Sequence, residues 1–396
     1  MSNSNSTSRS PQPDERHFSS QLSHSSWLSA IQFVGLSFLI SRIVILIVFQ
    51  GLAPHIPMPA PLDMLTPLGS MPNFKPEAGW SLFTHWDGKW YEDIATRGYT
   101  YNAKDLTQIY SIAFLPMYPA VCNLVMRLGL PFAIAGTLVN NLFFLGAAYV
   151  LYLWIEEFHG RRLAQWTTIA LTCFPYSMFG SMAYTEGLFF FSTTVSLRAF
   201  DKGQYRLASL SGMVAATTRM FGLALVPTFL IRAWQQRRSI AAYGAGLAVP
   251  LGLVIFFFYC QVVHGDFLAT FQAQKAWLTH QNTWVQVAQK LWDRRLWSPD
   301  SWLRVIVFLG SAIAFWTLRR QLNPTIWVYG LSSMGLLLLS GASDGIVRYV
   351  YGITSFSVIL GYGLMKYPIV RLPALVSSVL VMSSIAIRFA WWNFIA

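Results

Sequence analysis

The chain is expected to be all-α, a polytopic bundle of membrane helices. Three observations carry that expectation: few charges, many long apolar runs, and no alternation of polar with apolar residues. Of 396 residues 54% are hydrophobic and only 11% charged, against about 25% charged in an average soluble domain. A helix needs roughly 20 apolar residues to cross a hydrocarbon core, and residues 27–52, 133–155, 240–263 and 370–395 all qualify. Strands of a membrane barrel would be about ten residues long with strict alternation.

Residues 1–26, Ser-rich and without the apolar core of a secretory signal, read as a disordered cytoplasmic tail. Residues 27–396 read as a single integral membrane domain. Its basic residues mark the cytoplasmic connections: Arg161 with Arg162; Arg198, Lys202 and Arg206; Arg232, Arg237 and Arg238; Arg319 with Arg320; Lys366 with Arg371. The net charge of +12 is thereby explained as a topology signal, and no nucleic-acid partner is expected. Cys122, Cys173 and Cys260 lie in apolar segments without metal-type spacing and read as packing residues.

Placing those clusters and the tail on one side fixes the path. Span 27–52 runs outward, and 53–110 forms a first external loop. The short, proline-marked segment 111–130 is expected to lie in the outer interface. Spans 133–155, 163–180 and 184–199 follow. Segment 206–234 has basic residues at both ends, so it is expected to be two half-helices that enter and return, with Arg219 near the turn. Thr217, Thr218, Gly222 and Pro227 support the break, and unwound backbone at that depth is tolerated only inside protein or beside a wet cavity. Spans 240–263, 302–318, 324–341, 347–365 and 370–392 complete the bundle, with a second external loop at 264–301.

This path brings Asp87, Tyr184, Glu186, Arg219, Asp344 and Arg348 to the outer side. Charges at membrane depth are costly and usually mark a cavity or substrate path. If 83–97 is one helix, Phe83, Trp86, Trp90 and Ile94 form an apolar stripe that lies on the membrane surface. Asp87 borders that stripe, either as a solvated anchor residue or as a general base between aromatic walls. Glu186, the acid of an otherwise apolar span, must find Arg, Tyr or backbone partners; it serves either that pairing or substrate binding. Arg219 and Arg348 suit a phosphate, because a guanidinium fork bonds two oxygens at once. The alternative for both is an internal salt bridge with Glu186 or Asp344.

No Gly-rich phosphate loop occurs, and no soluble segment is large enough for a Rossmann domain, so neither ATP nor a nucleotide-sugar donor is expected. His85, His264 and His280 show no paired ligand spacing; no metal and no cofactor are expected.

The run "HWDGKWYEDIATRGY" followed by "FLPMYP" resembles that of the PIG-V-type mannosyltransferases, a family of the GT-C class. Further stretches agree in order: "FPYSMFGSMAYTEGLF", "AATTRMFGL", "GDFLATFQAQKAW" and "SDGIVRYV". The match spans roughly 81–356. What the resemblance implies is a GT-C fold, a polyprenyl-phosphate-linked sugar donor, usually mannose, and inversion at the anomeric carbon. It also implies an acid of the first external loop as base, here Asp87. Arg219 and Arg348 would meet the donor phosphate, and Trp86, Trp90, Tyr184, Glu186, Gln274 and Trp277 the substrates, with anchoring of the loops the alternative for the three tryptophans. The implied acceptor is a lipid or glycan, and the implied location a bacterial plasma membrane, or the endoplasmic reticulum in a eukaryote. Trp90 stands where eukaryotic members frequently have His, and Met220-Phe221 where Ser-Asn is frequent. A transporter or flippase of polyprenyl-linked lipids is the alternative, since it also needs intramembrane charge and broken helices. It is disfavoured by an elaborate first loop and by the lack of a second broken copy.

Overall fold

A computed structural model describes residues 24–56, 75–278, 284–292, 299–341 and 345–392. Asn5, His280, Asp344 and most of the expected tail lie outside them. Among the described residues there are helices and no strand. Within the described residues, five helices are long and apolar enough to cross a membrane: Leu28–Leu52, Phe132–His159, Ile240–His264, Trp302–Arg320 and Pro368–Ala390.

The first helix, α1 (His24–Leu46), runs into a π-helical turn, Ile47–Leu52. It takes up residues 24–26, which the hydropathy profile assigned to the tail. The first external loop folds into a 3₁₀ turn, Trp80–Thr84, then α2 (Asp87–Arg97) and α3 (Met117–Met126). At ten residues, α3 is too short to cross, as the interfacial reading of 111–130 expects. The long α4 (Phe132–His159) returns to the opposite end.

Two expected spans are corrected. The first, 163–180, is not continuous: α5 (Arg161–Cys173) stops before Pro175, a 3₁₀ turn covers Pro175–Gly180, and α6 (Glu186–Asp201) starts after a non-helical stretch. Pro175 has no amide to donate to the ladder, and the amide of Ala183 is spent on Phe83 O. The second, 347–365, is broken at Gly352–Ile353 into α15 (Ile346–Tyr351) and α16 (Thr354–Lys366).

Segment 206–234 doubles back. Helix α7 (Tyr205–Thr218) ends at Arg219, whose backbone is extended (φ −148°, ψ 137°). A 3₁₀ turn, Met220–Ala224, leads into α8 (Leu225–Gln235). Only glycine fits at 222, since a Cβ there would sit 2.5 Å from Ala216 N. At the far side α8 packs on the end of α6, where Phe229 stacks on Phe200 at 4.2 Å and Arg238 reaches Phe200 O.

The remaining helices are α9 (Ile240–Ala248), α10 (Leu251–His264), α11 (Ala269–Leu278), α12 (Trp284–Trp292), α13 (Pro299–Thr317), α14 (Pro324–Leu339) and α17 (Arg371–Ala390). The core is aromatic and aliphatic, with Trp154, Tyr152, Phe144 and Phe190 fully buried. Basic residues gather at one end of the bundle: Arg198 pairs with Glu157 at 2.6 Å, and Arg371 lies over Trp166.

Candidate active site

At the other end, chain segments far apart in sequence meet around one carboxylate. Glu186 is the first residue of α6 and is 1% exposed. Its Oε1 accepts from Arg348 Nε at 2.7 Å and from Arg219 Nη1 at 3.0 Å, and lies 2.6 Å from Arg348 Nη2. Oε2 is buried without a hydrogen-bond partner among the described residues. A buried carboxylate without a cation is expensive, and breaking such a pair costs about 3–5 kcal/mol. Two guanidiniums on one acid make this cluster a fixed electrostatic centre.

Arg348 is the hub. Its remaining nitrogen, Nη1, reaches Asp87 Oδ2 at 3.4 Å. Its guanidinium lies over the rings of Phe179, at 4.3 Å, and Tyr184, at 4.8 Å, a cation–π placement that keeps the group charged and flat. Arg219 is looser. It flanks Phe189 and Tyr349 at nearly 6 Å and spends one nitrogen on Glu186. Its Nε and Nη2 make no hydrogen bond to any described residue, which leaves two donors for a ligand. Asp87 is 30% exposed at its side chain, so the carboxylate is open to solvent while Glu186 is not.

The helix expected over 83–97 is corrected here. The chain breaks at His85–Trp86, with Trp86 at φ 56° and ψ −119°, a conformation that costs a non-glycine residue of order 1–3 kcal/mol and persists only where surroundings enforce it. Tyr184 does so: its hydroxyl donates to His85 O at 3.0 Å and accepts from Asp87 N at 3.2 Å, so one phenol brackets the strained residue. Asp87 thus opens α2. Phe83 is not part of a surface stripe; it is buried and stacks on Phe49 at 5.0 Å. The buried face of α2 is Gly88, Tyr91, Ile94 and Ala95, so the helix packs into the protein.

The other expected contacts divide. Tyr184 is fully enclosed and positions the Asp87 turn, with its ring under Arg348. Trp90 stacks on Phe114 at 5.9 Å, and Trp86 leans on Trp392 at 5.7 Å, both anchoring contacts. Gln274 donates to Ala113 O at 3.3 Å and approaches Met220 Sδ, tying the second external loop to the first beside Arg219. Tyr101 ties the same loops, donating to Asp266 at 2.5 Å. Trp277 lies in α11, and its side chain is outside the described residues. Among the described residues no three His, Cys, Asp or Glu side chains group as metal ligands do.

His85 is buried against the end of α17. Its Nδ1 lies 3.1 Å from Phe389 O, and its ring stacks on Trp392 at 4.1 Å. Burial pushes its pKa down to about 4, against the pull of the Phe389 carbonyl.

Sequence reading passed over three residues. Asn140 and Asn141 sit in the apolar run of α4, and Arg42 sits inside the first span. The signal was available: side chains that hydrogen-bond, placed where lipid-facing helices carry none.

An apolar groove of about 920 Å³ is lined by none of the four cluster residues and comes nearest to them in the chain at Thr217. Helices α2 and α3 form one wall, α7 the floor and α10 the other wall. Thr217, two residues before Arg219, lies at one end, and Leu210 about 10 Å further along α7 at 1.5 Å per residue. Asn123 and Arg127 line its α3 side.

No family model matches the chain. It is 27% identical over 229 residues to GPI mannosyltransferase 2 of Drosophila pseudoobscura pseudoobscura, covering 49% of this chain and 49% of that protein. The chain thus spans about half the length of the curated relative it matches. Two crystal structures of ArnT from Cupriavidus metallidurans share its fold. The apo form superposes with a TM-score of 0.53 at 14% identity over 88% of this chain and 63% of that one. The form bound to undecaprenyl phosphate gives 0.53 at 13% over 92% and 77%. That shared helical architecture agrees with the GT-C fold that the motif resemblance implies.

Proposed function

We propose that this integral membrane protein, a GT-C fold with a mannosyltransferase-related sequence, transfers a hexose, mannose by its motifs, from a polyprenyl-phosphate donor to a lipid or glycan acceptor. The reaction takes place at the non-cytoplasmic face. The observation that carries the reading is the meeting of Asp87, Glu186, Arg219 and Arg348 in one cluster, with two unspent guanidinium donors and one open carboxylate.

Each part then has a task. An isoprenoid chain cannot leave the bilayer, so its sugar and phosphate must be met at the membrane interface. The groove beside α7 takes the chain and delivers the phosphate to Arg219 and to Arg348 Nη1. The acceptor hydroxyl attacks the anomeric carbon from the face opposite the phosphate, giving inversion. As the carbon–oxygen bond to phosphate breaks, negative charge builds on the leaving oxygen. Fixed cations act most strongly on such developing charge. The hydroxyl proton passes to Asp87, the accessible carboxylate, as in inverting glycosidases. Glu186 holds the two guanidiniums at fixed orientation; being buried and doubly paired, it is not the base. Arg348 touches both acids; a phosphate oxygen that takes up its Nη1 replaces the 3.4 Å contact to Asp87 Oδ2 and leaves that carboxylate free to accept the proton.

The decisive assay incubates purified protein with polyprenyl-phosphate-mannose and a membrane lipid extract, and seeks a product heavier by one hexose. Activity that requires Asp87 supports the assignment. An Asp87→Asn protein that transfers at the wild-type rate removes Asp87 from the chemistry.

A further inference from the structure

The stretch from Phe174 to Thr185 holds no α-helix, only the 3₁₀ turn Pro175–Gly180 followed by irregular backbone, and both acids of the site depend on it. Its amide at Ala183 donates to Phe83 O, its Tyr184 brackets the turn before Asp87, and its end becomes Glu186. Such backbone at membrane depth needs partners for the carbonyls that a helix would have satisfied. Asn140, fully buried on α4, supplies several: Nδ2 donates to Phe179 O at 2.6 Å and Met182 O at 2.7 Å, and Oδ1 accepts from Gly187 N. Arg42, from α1, donates to Ser177 O at 3.0 Å and to Ser181 Oγ at 2.8 Å. Ser181 Oγ donates in turn to Asn141 Oδ1 at 3.3 Å.

Packing leaves no slack. A Cβ on Gly187 would sit 2.1 Å from Asn140 O, and one on Gly180 2.7 Å from the Phe144 ring. Gly136, Asn140 and Phe144 recur at four-residue steps, so one face of α4 is the platform on which this stretch rests. Arg42 has no acidic partner among the described residues, and its Nη2 is buried without a hydrogen bond. A guanidinium inside a first span with no described acid beside it, resting over the rings of Phe38 and Phe144 at 5.2 and 4.9 Å, is a costly way to hold two oxygens. That cost makes sense where placement of those oxygens matters more than stability.

We propose that Asn140 and Arg42 are positioning residues for the active site: their hydrogen bonds to the 177–187 backbone set where Glu186 and the Asp87 turn stand relative to each other. Neither touches substrate. In its effect on rate the inference rests on the transferase reading; in its effect on backbone order it does not.

The test uses full-length protein in lipid nanodiscs, with four variants: Asn140→Leu, Asn140→Asp, Arg42→Met and Arg42→Lys. Amide hydrogen exchange and the transfer rate are measured on each. Asn140→Leu and Asn140→Asp are expected to lose protection about tenfold at 181–187, Gly187 included, while the rest of α4 and α6 stays protected. Lysine keeps a charged donor for Ser177 O and Ser181 Oγ. Arg42→Lys is therefore expected to retain protection and rate, where Arg42→Met loses about tenfold in each at equal thermal stability. Unchanged protection at 181–187 overturns the proposal, as does loss spread evenly over the bundle, or Arg42→Met matching Arg42→Lys in both readouts. If wild-type protein transfers no sugar while the exchange pattern appears as described, the positioning stands and the transferase assignment falls.

Discussion

Helix α6 begins and ends on an acid, and the two ends have been built for different purposes. At its C-terminal end Asp201 accepts from Trp154 Nε1 at 2.9 Å, Asn323 Nδ2 at 2.8 Å and Thr325 Oγ1 at 2.5 Å. All three donors are neutral and both oxygens are used. Arg232 Nε donates to Thr325 Oγ1, at 3.1 Å, and not to Asp201 itself. At the N-terminal end Glu186 has one oxygen crowded by two guanidiniums and the other bare, and next to it stand an open carboxylate and a half-used arginine. A buried polar group with all its partners is a staple between helices. One whose neighbours retain spare donors and an opening to the outside is equipped to receive a ligand.

The contrast is broken most directly at Asp87. Asp87→Asn is expected to lower transfer by about 10³-fold, within the range for loss of a general base, with insertion and thermal stability intact; rate per milligram of monodisperse protein is the readout. Next comes Arg348→Lys. A point charge cannot serve Glu186 and Asp87 together, so kcat should fall about 100-fold, as for loss of a fixed transition-state donor. Arg219→Lys should cost less, because Arg219 gives Glu186 a single bond. The reverse result for the two arginines would make Arg219 the hub.

Asp201→Asn tests the other end. It places an amide nitrogen against donors and should cost about 1–3 kcal/mol of stability, seen as a lower unfolding midpoint, with activity per folded molecule unchanged. A specific loss of activity would erase the distinction between the two ends.

The effect that is smallest at neutral pH concerns His85. Its folded-state pKa, about 4, lies below the ordinary value of 6.5, so the unfolded chain binds the proton more readily. The stability this burial supports is fully present above about pH 6.5 and declines as pH falls toward 4. Unfolding midpoints measured between those limits should fall in wild type, and His85→Gln should flatten that part of the profile.

Much of this was legible in the chain. Hydropathy placed the long spans, and basic clusters at both ends of 206–234 required a chain that returns, which is what the extended backbone at Arg219 allows. The unlikely positions of Glu186, Arg219 and Arg348 marked them as partners of something. What escaped was local geometry set from a distance. Periodicity drew one helix through 83–97, whereas Tyr184 imposes a break at Trp86 and sets Asp87 at the start of α2. Tyr184 and Glu186 are both enclosed, and for Glu186 the sequence left internal pairing open beside substrate binding. Asn140, Asn141 and Arg42 were passed over because a hydropathy average absorbs one or two polar side chains without trace.

The sequence by itself determined that this is a helical membrane protein, the order of its apolar segments, and which side chains are chemically out of place. Those follow from composition and from patterns within a few turns of helix. Tertiary structure alone decided that Glu186 stands between arginines 33 and 162 positions away and that Arg348 reaches an aspartate 261 positions distant. Such contacts depend on how α4, α6, α7 and α15 pack, and no local preference of the chain encodes the angle between two helices.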